Sequence, residues 1–234
     1  MKERVHAIIV AAGKGMRMKK SVRKQYMALD GVPILRHTLT IFDRCRAVNQ
    51  IILVAPKEDI RFCQNEILMP AKFQKSVKLV AGGPERQDSV YNGLQLVAPD
   101  DGIVVIHDGV RPFVKQEQLV ACIKGATEFG ACIIGIPAFD TIKQVNVKNE
   151  IVQTHQRESL WLAQTPQAFR AKLISRAHQV AKQDRFIGTD DASLVERLGH
   201  AVKIIPGSRS NIKITSQEDL ELARAILRGN LIEL

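Results

Sequence analysis

Residues 7–18 read AIIVAAGKGMRM, an apolar run followed by small residues, two glycines and basic side chains. A continuous apolar run of this length predicts a β-strand buried on both faces, as in a parallel sheet. Glycines directly after such a strand let backbone N–H groups approach a polyphosphate, which neighbouring cations then neutralise. The spacing fits neither a dinucleotide fingerprint nor a Walker loop, so a plain tight turn is the alternative to a phosphate loop.

The rest of the chain repeats this alternation of apolar runs and helical spacing. Further strands are predicted at residues 51–55, 77–81, 103–106, 132–136 and 202–205. Helical spacing lies between and after them, in segments that begin near positions 33, 86, 117, 171, 190 and 217. Strands that alternate with helices, and that are themselves continuously apolar, indicate an α/β fold with a mostly parallel sheet.

Composition limits the classes of protein and of partner. With 234 residues and 45% hydrophobic content the chain is long enough for one large core, so we expect a single domain over residues 1–234. The formal net charge of +10 favours anionic partners, which include nucleotides, phosphorylated metabolites and nucleic acids. Charge alone does not choose among them.

Cysteine spacing and hydropathy indicate the compartment. The four cysteines, at positions 45, 63, 122 and 132, have no CxxC spacing, which argues against a zinc site or a disulfide framework. No apolar stretch reaches the roughly 20 residues that span a bilayer, and the first residues lack the apolar segment of a signal peptide. We therefore expect a cytoplasmic protein with no membrane partner.

Residues 139–155, FDTIKQVNVKNEIVQTH, alternate polar and apolar side chains around a polar turn at positions 148–150. This pattern predicts an exposed two-stranded β-hairpin, and we place this arm at residues 138–158. An isolated hairpin is only marginally stable, so the arm must pack against something else. A second copy of the chain is the simplest partner, and we expect a homodimer joined through the arm.

Two further motifs place polar side chains behind predicted strands. HDGVRP follows the apolar run at 103–106, and ligands gather beyond the carboxyl ends of such strands, so Asp108 and Arg111 are predicted to face the crevice of the first glycine loop. They suit a magnesium ion and an anion, or alternatively they pair to hold a turn. In AGGPERQDSV, residues 81–90, the glycines permit close backbone approach and Ser89 offers a hydroxyl, unless the motif simply starts a helix.

Eight motifs together occur in the order of a known enzyme family. They are AAGKGMRM, KQY, GGPERQDSV, HDGVRP, DTIK, QTPQAF, TDDASLVE and NIKIT, within residues 7–226. In this order they resemble the 2-C-methyl-D-erythritol 4-phosphate cytidylyltransferase family. The resemblance implies a Rossmann-like domain with helices on both faces of the sheet and a protruding β-arm for dimerisation. It also implies a Mg²⁺-assisted nucleotidyltransferase that joins CTP to a polyol phosphate, here 2-C-methyl-D-erythritol 4-phosphate, and releases pyrophosphate.

The resemblance implies roles for individual residues as well. The residues that would bind the nucleotide are Ala11, Ala12, Gly13, Gly15, Gly83 and Ser89. The catalytic cations would be Arg17, Lys24 and Lys213. The residues on the acceptor side would be Asp108, which is also the expected metal ligand, with Arg111, Thr141, Arg157 and Thr165. Thr141 and Arg157 lie near the ends of the arm, which in the family reaches into the active site of the partner.

The sequence departs from the family pattern in three places. Arg23 stands where proline is common, so this position loses a φ restraint and gains a charge. Pro84 replaces an acidic or polar residue, and Gly109 with Val110 replaces a pair of alanines. These changes are expected to tune affinity and to leave the reaction class unchanged.

The expected reaction needs no catalytic triad. Its nucleophile is the phosphate monoester of the acceptor, whose second pKa of about 6 leaves it largely dianionic at neutral pH. Fixed cations and magnesium offset the repulsion between this dianion and CTP, because they position the two phosphates and stabilise their negative charge. His107, at the end of a buried strand, is therefore expected to be structural rather than a general base.

Two other functions fit parts of the sequence. A related cytidylyltransferase acting on ribitol 5-phosphate would share the nucleotide loop and differ in its acceptor pocket. A basic nucleic-acid-binding module fits the net charge, but aromatic residues make up only 5% and the chain has no RNP-type or KH loop. We therefore expect no nucleic-acid partner.

Overall fold

Strands and helices alternate along the computed structural model, which describes residues 3–13, 23–98 and 102–229. The strands are β1 (Val5–Val10), β2 (Ala28–Leu29), β3 (Val32–Pro33), β4 (Gln50–Ala55), β5 (Val77–Ala81), β6 (Ile103–Asp108), β7 (Ala131–Pro137), β8 (Lys143–Val145), β9 (Ile151–Thr154), β10 (Trp161–Arg170) and β11 (Lys203–Pro206). The α-helices are α1 (Ile34–Arg44), α2 (Ile60–Phe62), α3 (Arg86–Leu94), α4 (Gln116–Phe129), α5 (Ala171–Gln183), α6 (Asp191–Arg197) and α7 (Gln217–Leu227).

The central sheet has seven strands within the described residues, in the order β11-β7-β10-β6-β1-β4-β5. All neighbours are parallel except β10, which runs antiparallel to both β6 and β7. The predicted mostly parallel α/β fold is therefore confirmed, and every predicted strand of the sheet is present. Strand β10 was not predicted, because its sequence WLAQTPQAFR mixes polar residues and a proline into the apolar run.

Both faces of the sheet are covered, because successive side chains of a strand point to opposite sides. Ala7 and Ile9 of β1 pack with Phe42 of α1 and with side chains of α4 on one face. Ile8 packs on the other face with Val90 of α3 and with side chains of α5 and α6. A smaller cluster joins α7 to the short β2–β3 hairpin. The apolar runs therefore form strands that are buried on both faces, as their sequence predicts.

The connection from β4 to β5 is helical although its sequence gave no such signal. A turn at Lys57–Asp59 leads into α2, then into a wide helical turn at Cys63–Leu68 and a last turn at Met69–Ala71. Buried Cys63 and Ile67 hold this connection against the core on the α1 face of the sheet. It becomes important for the site because its first turn carries two acidic side chains.

The arm predicted from the sequence is present as a separate two-stranded hairpin of β8 and β9. Its turn contains Asn149 in the left-handed region, with φ of +61°. The side chains of both strands are exposed, and Val147 at the turn is fully exposed. The arm therefore buries little apolar surface within its own chain.

None of the helices in the described part of the chain has both the length and the apolar composition needed to cross a membrane.

A chain of hydrogen bonds fixes the carboxyl end of β6 to β10. The Asp108 N–H donates to Thr165 Oγ1 (3.1 Å), and the Thr165 hydroxyl donates to His107 Nδ1 (3.0 Å). His107 Nε2–H donates to the carbonyl of Arg111 (3.0 Å), which places a proton on Nε2. Burial lowers the pKa of His107 to about 4, so the ring is neutral near pH 7.

The buried neutral ring of His107 predicts how stability depends on pH. An unfolded chain binds a proton at histidine below about pH 6.5, but folded His107 does so only below about pH 4. The free energy of unfolding therefore falls as pH drops across this window, by about 3 kcal/mol from this residue. Denaturant titrations of wild type and of His107→Gln at several pH values measure the difference in slope.

The exposed His200 supplies the control for this measurement. His200→Gln is expected to keep the wild-type slope, whereas His107→Gln loses about one proton from it between pH 6.5 and 4. Equal slopes for wild type and His107→Gln would contradict the assignment.

Candidate functional site

A cleft opens beyond the carboxyl ends of β1 and β6, in the middle of the sheet. The chain runs from β1 outwards to β4 and β5, then returns to place β6 on the other side of β1. Helix α1 covers one face and α3 the opposite face, so a crevice forms where the strand order reverses. The cleft is lined by many of the predicted site residues, namely Ala11, Ala12, Gly13, Lys24, Gly83, Ser89, Asp108 and Lys213.

The first wall of the cleft is the backbone that follows β1. Buried Gln25 donates from its side-chain amide to the carbonyls of Ala11 (2.7 Å) and Gly13 (3.3 Å). This ties the short turn Lys24–Tyr26 to the end of β1, so Lys24 is held at the same cleft. Gln25 was missed from the sequence, because a glutamine in KQY gives no signal of what it binds.

The second wall is the loop between β5 and α3. The Gly83 N–H donates to Ser89 Oγ (3.1 Å), and the Ser89 hydroxyl donates to the Glu85 carbonyl (3.1 Å). A Cβ at Gly82 would lie 2.3 Å from the Cβ of Ala12, so only glycine lets this loop approach the end of β1 so closely. The two walls therefore present adjacent backbone and small side chains.

The floor of the cleft is the carboxylate of Asp108, which three cations surround. Its Oδ2 lies 2.9 Å from Lys213 Nζ and 3.4 Å from Arg111 Nε, and its Oδ1 lies 3.3 Å from Arg86 Nε. Burial alone would raise the pKa of Asp108, but Arg86, Lys213 and Arg111 outweigh it and hold the pKa well below its usual range. Asp108 is therefore ionised at all physiological pH values.

Each arginine around Asp108 is itself held by a second group. The Arg111 Nη1–H donates to the carbonyl of Asn211 (2.7 Å). The Arg86 Nη1–H donates to Asp191 Oδ2 (2.7 Å), and Asp191 Oδ1 accepts from His178 Nε2 (3.1 Å) in the interior. This network orients the guanidinium groups before any ligand binds.

The described structure leaves several predicted site residues outside the cleft lining. Arg111 lies behind Asp108 with its side chain only 13% exposed, and the hydroxyl of Thr165 is taken up by Asp108 and His107. Thr141 and Arg157 are exposed near the ends of the arm, where Arg157 Nη1–H donates to the carbonyl of Phe139 (2.7 Å). Gly15 and Arg17 lie outside the described residues.

Arg86 and Asp191 were not singled out from the sequence, although both lie in motifs that were. Arg86 is the first residue of α3 and lines the cleft, and Asp191 begins α6. Their contact joins residues 105 positions apart, so local sequence gave no sign of it. An arginine three residues after a glycine pair was the only local signal.

The arrangement suits binding of anions rather than proton transfer. Lys24, Lys213 and Arg86 line the cleft, and His107 is neutral with both ring nitrogens in hydrogen bonds. All four cysteines are buried. Among the described residues no group of three or more His, Cys, Asp or Glu side chains comes together as a metal cluster.

Known relatives share this sequence along nearly its whole length. A family model described as IspD, 2-C-methyl-D-erythritol 4-phosphate cytidylyltransferase, matches residues 5–229. The 2-C-methyl-D-erythritol 4-phosphate cytidylyltransferase of Syntrophus aciditrophicus is 49% identical over 228 residues, 97% of each chain. The enzyme of the same name from Geobacillus kaustophilus is 48% identical over 97% of this chain and 98% of its own.

Solved structures agree with this assignment. The crystal structure of 4-diphosphocytidyl-2C-methyl-D-erythritol synthase from Anaerococcus prevotii matches with a TM-score of 0.86 at 34% identity, over 97% of both chains. The 2-C-methyl-D-erythritol 4-phosphate cytidylyltransferase from Francisella tularensis matches with a TM-score of 0.80 at 32% identity, over 94% of this chain and 98% of that one. The resemblance drawn from the eight motifs is thus confirmed, and the chain, a nucleotidyltransferase, belongs to the 2-C-methyl-D-erythritol 4-phosphate cytidylyltransferase family.

Proposed function

We propose that the cleft beyond β1 and β6 is where this enzyme carries out its reaction. Like its family, the chain transfers CMP from CTP to 2-C-methyl-D-erythritol 4-phosphate, forms 4-diphosphocytidyl-2-C-methyl-D-erythritol and releases pyrophosphate. The observation that carries the location is the cluster of Arg86, Arg111 and Lys213 around ionised Asp108, directly beside a backbone-lined pocket. Such a pocket fits a nucleoside, and such a cluster fits phosphates.

The nucleotide half of the cleft is assigned to the two backbone walls. Ala11, Ala12 and Gly83 bring N–H and C=O groups close together with little side-chain bulk, which suits the polar edge of a small base. Gly13, at the end of the described part of β1's loop, is assigned to the phosphates with Lys24. Gly15 and Arg17 keep their predicted phosphate roles.

The chemistry follows from charge. The acceptor phosphate attacks the α-phosphate of CTP, one P–O bond forms, and the bond to pyrophosphate breaks. The acceptor is already largely dianionic near pH 7, so no general base is needed. Lys24 and Lys213 both line the cleft, where they offset the negative charge that builds up as both phosphates approach.

Nucleotidyltransferases generally use a divalent metal ion, and we infer that this one uses Mg²⁺ with Asp108 as the protein ligand. An ionised carboxylate fits, because Mg²⁺ takes one or two carboxylates together with phosphate oxygens and waters. Lys213 is the most exposed partner of Asp108, with 39% of its side chain accessible, so it is the one that can release Oδ2. The ion would neutralise charge on the phosphate oxygens.

We also propose that each chain is a single domain and that two chains form a homodimer through the arm at residues 138–158. The support is the arm's own surface, since Val145, Ile151 and Val152 are each about half or more exposed. Exposed apolar side chains on an extended hairpin favour packing against a second molecule. In such a dimer Thr141 and Arg157 would reach the acceptor pocket of the partner.

Substrate choice tests the assignment directly. Pyrophosphate release is measured with each of the four NTPs against 2-C-methyl-D-erythritol 4-phosphate and ribitol 5-phosphate. We expect the rate of pyrophosphate release with CTP to exceed the rates with ATP and GTP by at least about 100-fold. The reason is that the wrong base leaves buried hydrogen-bonding groups of the pocket unpaired. Comparable turnover with ATP or GTP would refute the assignment of the pocket to the base of CTP. Full activity in excess EDTA would refute the requirement for a metal ion.

Lys213→Met tests the acceptor side of the cleft. We expect kcat/KM for the acceptor to fall about 100-fold or more, with KM for CTP nearly unchanged, because one fixed cation facing the reacting phosphate is lost. The Asp108 carboxylate keeps its ion pairs with Arg86 and Arg111, so the fold is expected to be retained. Lys203→Met is the control, since Lys203 lies on the outer strand β11 and its ammonium lies over the Phe129 ring of α4. Wild-type kinetics for Lys213→Met would remove it from the site.

A mixed dimer tests whether the arm completes the partner's site. Lys213→Met and Arg157→Ala homodimers are both expected to be nearly inactive. If Arg157 serves the other chain, a mixed dimer holds one site with both changes and one with neither. Random re-pairing makes about half of the dimers mixed, so about a quarter of all sites recover activity. No recovery, with subunit exchange confirmed by native mass spectrometry, would show that Arg157 serves its own chain.

A further inference from the structure

Lys24 reaches the cleft from a three-residue turn, Lys24–Tyr26, whose other side chains are tied to the scaffold. The side-chain amide of Gln25 donates to the carbonyls of Ala11 and Gly13, which follow β1 in the sequence. The Tyr26 hydroxyl lies 3.2 Å from Cys63 Sγ, and its ring packs on Phe62 with centroids 4.7 Å apart. The turn is therefore fixed on the side that follows Lys24. On the preceding side, the contacts that the structure describes are those of Arg23.

The backbone angles of Arg23 are those that proline allows, and its side chain forms an ion pair. Its φ is −63° and its ψ is 143°, within the range that a pyrrolidine ring imposes. Its Nε lies 2.7 Å from Asp59 Oδ2, an ion-pair contact without hydrogen-bond geometry, and its Nη2–H donates to Glu58 Oε1. No described residue accepts a hydrogen bond from the Arg23 N–H, so the position needs no amide proton within that part of the chain.

We propose that Arg23 is a positioning residue for Lys24. Its ion pair with the turn Lys57–Asp59 holds the backbone that enters Lys24–Tyr26, and so sets the angle at which the Lys24 side chain meets the cleft. The proposal rests on the role of Lys24 in the proposed function. The ion pair restrains the backbone at position 23 without a covalent bond, whereas the pyrrolidine ring of a proline would restrain it covalently.

The two acids are not equivalent partners. The side chain of Asp59 is 19% exposed and that of Arg23 is 24% exposed, whereas Glu58 is 64% exposed. An ion pair screened from water is stronger than one at the surface, where salt and side-chain entropy cancel most of it. Asp59 is therefore the principal anchor, and Glu58 adds little.

The test compares kcat and KM in Arg23→Gln, Arg23→Pro and Asp59→Asn. We expect kcat to fall about 10-fold in Arg23→Gln, because a fixed charge that moves by even about 1 Å loses transition-state contact. Arg23→Pro is expected to return to within about 3-fold of wild type. Arg23→Gln combined with Asp59→Asn is expected to be no worse than either alone, since both remove one contact.

Three controls make the result specific. Arg61→Gln removes the same charge from exposed α2 and is expected to leave kcat unchanged. Glu58→Gln is expected to change kcat less than 2-fold. Raising the salt concentration from about 0.05 M to about 0.5 M is expected to lower kcat more in wild type than in Arg23→Pro, because salt still weakens a partly exposed ion pair and does not affect a proline ring.

Failure of the anchor is distinguishable from failure of the proposed function. Lys24→Met is assayed in the same series. If Lys24→Met loses activity while Arg23→Gln, folded by circular dichroism, keeps wild-type kcat, the anchoring role is wrong and the role of Lys24 stands. If Lys24→Met keeps activity, the proposed role of Lys24 is wrong. If Arg23→Gln is impaired and Arg23→Pro does not recover, Arg23 acts through its charge and the proposal is overturned.

Discussion

The carboxylate of Asp108 is the charge around which the rest of the site is arranged. It lies at the end of a central strand, nearly buried, and only the three cations around it make an ionised group tolerable there. Asp191 balances one of those cations from the opposite side. Three positive charges against two negative ones leave the cluster one charge positive, which is the sign that a polyphosphate requires.

Burial explains why these charges stay fixed. Removing Asp108 would leave Arg111 in the interior without its carboxylate partner, so the arginines cannot rearrange freely. Electrostatic catalysis depends on this rigidity, because a charge already in place need not reorganise as the reaction proceeds. The neutral ring of His107 serves the same end, since its hydrogen bonds through Thr165 hold the backbone of Asp108.

The sequence was informative wherever the signal was local. Continuous apolar runs gave the buried strands, and the strand-end position of HDGVRP placed Asp108 in the crevice of the glycine loop, where the structure has it. Signals failed where a role depends on distant residues. Strand β10 is recognisable only beside β6 and β7, and Arg86 only through Asp191, which lies on a helix far along the chain. Local sequence also gave no sign of the contacts that the Thr165 hydroxyl makes with Asp108 and His107 on a neighbouring strand, whereas the family resemblance implies a role for it on the acceptor side.

Every cation that lines the described cleft is held in place by a neighbouring group. Arg86 depends on Asp191, and Lys213 meets Asp108, whose own backbone is held by Thr165. Lys24 lies on a turn that Gln25 binds to the end of β1. A lysine has a flexible four-carbon stem, so a precise charge requires a rigid backbone beneath it. The positions of these cations therefore depend on the contacts that support them. This also explains why motif residues alone do not reveal how the site is built.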